Sequence, residues 1–214
     1  MLDRVVGFPI HRGVLAAGVR PRTWDVAALL AELPPRATLV VGLGLSNHDN
    51  VGALFRNAAA LGAHAVLLDD QSADPLYRKA IRVSMGHALT LPSCAHVPWT
   101  TLAPALATAG FELWATTPGA EAEDLGSLLI RGAAPPPRVA VLVGAEGPGL
   151  SVEQLAQATR RVRIPMSAGV DSLNVATAAA LVLFVVDAGH RASASGGGVQ
   201  ASATSPVGPG RESE

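Results

Sequence analysis

The feature that most constrains this chain is a series of apolar runs separated by helix-length segments. Thr38 to Leu43, Ala65 to Leu68, Phe111 to Ala115 and Val139 to Val143 are almost free of polar side chains. A strand that is apolar at nearly every position has both faces covered, as in a parallel sheet flanked by helices. Between these runs the periodicity predicts helices over Trp24 to Leu33, Val51 to Leu61, Pro75 to Val83 and Thr100 to Ala109. Another follows Ser151 to about Thr159, with a weaker helical patch over Glu121 to Leu129. Further strands are expected at Ala88 to Leu91 and Arg161 to Ile164. The expected fold class is therefore α/β, with a mostly parallel sheet and helices on both faces.

In such sheets ligands bind beyond the carboxyl ends of the strands. Three polar, glycine-containing loops, residues 44–50, 144–150 and 165–174, follow strands in just that way. The third opens the stretch Ile164 to Phe184, IPMSAGVDSLNVATAAALVLF, which ends in a helix apolar on nearly every side. A helix of that kind is expected to be buried on all faces, in the core or against a second subunit. Burying Asp171, Ser172 and Asn174 beside it would demand a partner for each. The plainer reading makes Ser172 or Asn174 simply the N-cap of the helix.

Composition narrows the function classes. The 214 residues carry a net charge of −1, so any nucleic-acid contact must be a local patch. Lys79 is the only lysine among 16 basic residues. Cys94 is the only cysteine, which excludes an internal disulfide framework and suits a reducing compartment. A lone cysteine is more often packing than a nucleophile. Met1 to Ile10 includes Asp3, Arg4 and Pro9 and lacks the apolar segment of a secretory signal. The uncharged run between Asp171 and Asp187 falls short of the ~20 residues of a membrane span. A cytoplasmic protein with no membrane partner is expected. Residues 1–36 read as an N-terminal extension, 37–190 as the main domain, and 191–214, rich in Ser, Gly and Ala, as a disordered tail.

Several chemistries lack their signatures. Gly42-Leu43-Gly44 follows a strand, but the third glycine of a dinucleotide fingerprint is replaced by Asn47. There is no phosphate-loop motif, no G-x-S-x-G elbow and no histidine pair at metal-ligand spacing. What the glycine-rich loops do collect is Asn50, Arg56, Glu146, Ser172 and Asn174. Such a set can orient a substrate and stabilise charge, while the glycines let a flat ligand approach the backbone.

Three segments then resemble, in order and spacing, the motifs of the TrmH/SpoU family of RNA ribose 2′-O-methyltransferases. They are NHDNVGALFRNA at Asn47 to Ala58, VGAEGPGL at Val143 to Leu150, and Ile164-Pro165-Met166 with Ser172-Leu173-Asn174-Val175. Arg78 to Leu91 is similar to the family's connecting segment. The resemblance implies a deep C-terminal trefoil knot, S-adenosylmethionine as methyl donor, a homodimer and no metal. It places Gly144, Ile164, Leu173 and Thr116 at the cofactor. It places Asn50, Arg56, Glu146, Ser172 and Asn174 in catalysis and RNA binding, and Arg78, Lys79 and Arg82 are candidates for RNA phosphates. Longer members of that family carry an N-terminal RNA-binding domain, and Gly7 to Arg20 resembles only the tail end of it. The expected activity is 2′-O-methylation of tRNA or rRNA. The alternatives are a base methyltransferase on the same fold and a non-catalytic RNA-binding relative.

Overall fold

A computed structural model describes residues 18–20, 24–132 and 134–195. Seven strands form one sheet in the order β3-β2-β1-β6-β4-β7-β5, and every pairing is parallel. The strands are β1 (Ala37–Gly42), β2 (Ala65–Leu68), β3 (Ser93–Cys94), β4 (Glu112–Thr116), β5 (Glu123–Asp124), β6 (Arg138–Val143) and β7 (Arg160–Arg163). The helices are α1 (Val26–Glu32), α2 (His48–Ala60), α3 (Arg78–Val83), α4 (His87–Thr90), α5 (Trp99–Thr108), α6 (Leu125–Arg131), α7 (Val152–Gln157) and α8 (Val175–Ser195). The central strands β1 and β6 pair over their whole length, from Ala37 with Arg138 to Gly42 with Val143.

Side chains alternate across a strand, so each apolar run feeds two cores. Val40, Val66, Val139 and Val141 face α2 and α8, where they meet Leu54, Phe55, Val182 and Leu183. Leu39, Val41, Ala140 and Leu142 point the other way, onto Leu29, Leu102 and Leu106 of α1 and α5. This is the two-sided burial expected of unbroken apolar strands.

Two elements depart from the sequence expectation. Ala88 to Leu91 is not a strand: His87–Thr90 is helical, and the edge strand is Ser93–Cys94. Met85 and Gly86 both adopt positive φ, 55° and 87°, which turns the chain out of α3. Ser84 then stitches the two helices, its hydroxyl donating to Ile81 O at 2.9 Å and accepting from Ala88 N at 3.2 Å. With that amide satisfied by a side chain, no ladder is needed at Ala88. Likewise, the patch at Glu121 to Leu129 begins as the short strand β5, and Asp124 caps α6 by accepting from Ser127 N at 3.0 Å.

The C-terminal helix α8 runs to Ser195, past the expected boundary at 190 and into the expected tail. Residues 196–214 and most of the N-terminal extension, including Gly7 to Ala17, lie outside the described residues. By length and composition Val175–Ala194 could cross a membrane, with a mean hydropathy of 1.4 over its most apolar window. This helix carries Asp187 and Arg191, so it extends beyond the uncharged run read from the sequence. Its Ala176, Ala179, Val182, Leu183 and Val186 are nevertheless buried in the core of the sheet. The opposite face is not covered in the single chain: Leu181 and Phe184 are 39% and 52% exposed.

Candidate active site

The loops after β1, β6 and β7 converge as expected, and one line of side-chain hydrogen bonds joins all three. Asn174 stands at the head of α8, where its Oδ1 accepts from Ala176 N at 3.0 Å and Thr177 N at 3.3 Å. Its amide nitrogen is thereby turned outward and donates to Asn50 Oδ1 at 2.8 Å. Asn50 in turn donates through Nδ2 to Glu146 Oε1 at 2.5 Å. The direction of the chain is forced from both ends: backbone N–H groups of α8 require an acceptor, and a carboxylate accepts. Asn174 is therefore the N-cap and a member of the site at once. Asn50, in the first turn of α2, is 6% exposed, so both of its amide bonds matter energetically.

Beside this line opens a cleft of about 620 Å³, within the size range of cofactor pockets. Gly144, Glu146, Ile164, Leu173, Ser172, Asn174 and Thr116 all line it. Gly144 admits no side chain, since a Cβ there would meet Gly149 C, Leu150 N and Gly149 O at 2.3, 2.4 and 2.5 Å. The loop folds back on itself at that point, with Gly149 N donating to Ala145 O at 3.0 Å and Gly147 at a positive φ of 88°. Glu146 is carried at its exposed tip. Thr116 is both a wall and a tie, its hydroxyl donating to Leu142 O at 2.9 Å.

The burial expected for Asp171, Ser172 and Asn174 is not found in the single chain: Asp171 to Asn174 are exposed at the rim of the cleft. The loop leaves β7 at the sheet's end and crosses the mouth of the cleft, so water reaches one side of it.

The sequence pattern of the SpoU rRNA methylase family matches residues 37–184. The chain belongs to the SpoU family. An uncharacterized tRNA/rRNA methyltransferase of Mycobacterium bovis is 47% identical over 184 residues, 86% of this chain and 62% of that protein. The chain thus spans less than two thirds of the length of that curated relative. A crystal structure of an RNA 2′-O ribose methyltransferase superposes with a TM-score of 0.64 at 36% identity, covering 74% of this chain and 58% of that one. An AdoMet-bound rRNA methyltransferase from Sinorhizobium meliloti gives 0.67 at 26% identity, covering 77% and 60%.

S-adenosylmethionine is the cofactor that SpoU membership implies, and the cleft fits it. Val162, Ile164, Met166 and Ala178 offer an apolar wall for a flat ring. The Gly144 to Gly149 backbone allows close approach, and the Asp171 and Glu146 carboxylates complement a positive charge.

Other SpoU-motif residues fall outside the cleft. Arg56 is exposed on α2, away from the buried stripe Val51, Leu54, Phe55 and Ala58, and is held by no ion pair among the described residues. Arg78 and Arg82 are exposed on α3. Lys79 is exposed beside them, and its ammonium pairs with Asp49 at 2.7 Å across the α2 and α3 starts.

Three supporting residues were not singled out in the sequence. Asp69, buried at the end of β2, accepts from Gly44 N through both carboxylate oxygens at 3.0 Å. Ser72 accepts from Leu45 N at 3.0 Å, so the two hold the loop that leads into α2. Asn57 donates to Ala176 O at 2.8 Å and ties α2 to the head of α8. Asp69 follows an apolar strand directly, which is the one sequence sign of it; Asn57 lay inside the Asn47 to Ala58 motif with no role of its own. Cys94 makes no candidate nucleophile: burial pushes its thiol up to about 11, and it sits against Trp24 O.

Proposed function

We propose that the protein transfers a methyl group from S-adenosylmethionine to a ribose 2′-hydroxyl of structured RNA, tRNA or rRNA. The observation that carries this reading is the Glu146–Asn50–Asn174 line at the rim of a glycine-walled cleft. When bound there, S-adenosylmethionine supplies a methyl carbon made electrophilic by its sulfonium. Held in the cleft, the donor would release its methyl from sulfur to the ribose oxygen, and Glu146 stands at the rim where its carboxylate would take the hydroxyl proton. Asn50 holds that carboxylate at the rim, which aligns a weak nucleophile for displacement. Ser172 lies beside Asn174 as a further hydrogen-bonding group at the rim.

Arg56 acts from outside the cleft. A guanidinium stays protonated, so it serves to grip a phosphate and stabilise the forming alkoxide rather than to remove a proton. Arg78 and Arg82 bind RNA phosphates from α3, and Lys79 contributes only once its pair with Asp49 opens.

The catalytic unit spans residues 37–190, and the loop from Ile164 to Asn174 with α8 forms the family's trefoil knot. The working form is a homodimer in which a second copy covers Leu181 and Phe184. A soluble monomer would otherwise leave these apolar groups in water. Localisation in the cytoplasm follows from an RNA substrate.

The test is incubation of purified protein with radiolabelled methyl donor and total RNA, followed by digestion to nucleosides. Label on 2′-O-methylated nucleosides is the expected result. Label on a base points to base methylation, and no label with retained RNA binding points to a non-catalytic relative.

A further inference from the structure

The ring pair among the described residues is His48 with Tyr77, their centroids 4.4 Å apart and the planes tilted by 46°. His48 opens α2, and Tyr77 is the residue before α3. The same two helix starts are clipped by the Lys79–Asp49 ion pair. Gly52 brings the helices this close, since a Cβ there would meet Ala80 O and Val83 Cβ at 2.7 Å. The rings therefore stand on a fixed base. A ring that only filled the gap between two helices would be covered by them, yet Tyr77 is 43% exposed. Its side chain makes no cap hydrogen bond to α3 either.

The carboxylates near Tyr77 are already paired, Asp74 with Arg20 and Asp49 with Lys79. Arg78 and Arg82 lie one turn apart on one face of α3, both exposed and without an ion pair among the described residues. Toward the cleft, His48 precedes Asn50 by two residues, about 3 Å of helix rise. The ring pair and the line of hydrogen bonds that reaches Glu146 therefore leave the same first turn of α2, on different faces of it.

We propose that Tyr77, backed by His48, is a stacking platform for a nucleobase of the substrate RNA that neighbours the nucleotide held at the cleft. Arg78 and Arg82 take the phosphates on either side of that base. This rests on the RNA reading given under Proposed function. An exposed aromatic beside unpaired guanidinium groups is the combination that holds an unstacked base. Every base has a π-face, so the platform sets affinity and register without selecting base identity.

The experiment measures binding of end-labelled tRNA and rRNA pools to the full chain and to Tyr77→Leu, Tyr77→Phe and Tyr77→Trp. Leu keeps apolar bulk and removes the π-face, so RNA affinity should fall roughly 5- to 100-fold. Phe should bind within about twofold of the parent, and Trp should bind more tightly. The salt dependence should be unchanged in all three, whereas Arg78→Ala should lower its slope by about one. Methylation by Tyr77→Leu should show a raised KM with kcat retained. Parent-like RNA affinity in Tyr77→Leu, with the parent binding RNA, overturns the platform and leaves the methyltransferase reading intact. Where Tyr77→Leu melts below the parent, Tyr77→Trp decides, and unchanged or weaker binding overturns the proposal. A parent that binds neither RNA pool overturns both.

Discussion

Asn50 and Asn174 are 124 residues apart in sequence and meet side chain to side chain, Asn174 Nδ2 donating to Asn50 Oδ1 at 2.8 Å. The contact makes two motifs, each ordinary alone, into one rigid unit, because Asn174 is also anchored by the backbone of α8. Glu146 is positioned at the far end of the same line.

Substituting Asn50 should therefore disable the site from beneath. Asn50→Asp removes the donor facing Glu146 and sets two carboxylates against each other. We expect a stability loss of about 1–3 kcal/mol and near-complete loss of methyl transfer. Asn50→Ala should cost less stability but as much activity. Melting curves and nucleoside analysis of the two variants check this, and parent-like activity in either contradicts the role given to the line.

Arg56 separates chemistry from folding. It is exposed and outside the apolar stripe of α2, so Arg56→Ala should change stability by no more than ~0.5 kcal/mol. Turnover should fall roughly 10²–10³-fold, as for loss of a preorganised donor, with cofactor affinity nearly unchanged. Arg56→Lys should restore little, since a point charge does not reproduce the planar fork. An alanine variant with the parent's rate would make Arg56 a surface residue.

Gly144 is where the cofactor cleft tolerates least. A methyl at that position would sit 2.3–2.5 Å from the Gly149–Leu150 backbone, so Gly144→Ala must displace the loop. S-adenosylmethionine binding should weaken at least about tenfold, with a fall in stability of roughly 1–3 kcal/mol. Calorimetry with a chelator present reads the affinity, and the parent should bind equally well with and without the chelator.

Cys94 predicts an alkaline limit. Its folded thiol lies at about 11, above the ordinary 9.0, because burial disfavours the thiolate. The stabilisation it brings is fully present below pH 9 and is lost as the pH rises toward 11. About two units correspond to ~3 kcal/mol at most. Cys94→Ala should flatten that alkaline decline in melting temperature. The native thiol should also resist alkylation at pH 8 and react once unfolded.

The exposed face of α8 gives the last prediction. Phe184→Glu should leave the fold intact, as Phe184 is half-exposed, and shift the protein from dimer to monomer in light scattering. A parent that is monomeric at micromolar concentration contradicts the dimer.

Local chemistry already contained much of the architecture. Unbroken apolar strands such as Val139–Val143 can be satisfied only inside a two-sided sheet, and Ser151 marked the start of a helix, where the structure forms a capping box with Gln154. The segment after Ser84 was misread because Ala88 to Leu91 is apolar and short, a pattern shared by strands and buried helical turns. What decided it was one hydroxyl, that of Ser84, together with two left-handed residues.

Burial of the loop before α8 was inferred from the apolar length of the helix, yet Ser167 to Asn174 are exposed in a single chain. The partner of Lys79, Asp49, lies 30 residues earlier, and no local pattern joined the two.

By itself the sequence determined most of the elements, that the sheet is mostly parallel, and which loops gather at its carboxyl edge. Those properties follow from periodicity and local hydrogen bonding, which act within a few residues. Only the tertiary structure decided that Asn174 caps a helix and reaches Asn50 at the same time. It also decided that Asn50 turns its other end to Glu146, and that Tyr77 lies on His48. Each of these depends on where distant strands end relative to one another. That is set by the packing of whole elements, and no local pattern carries it.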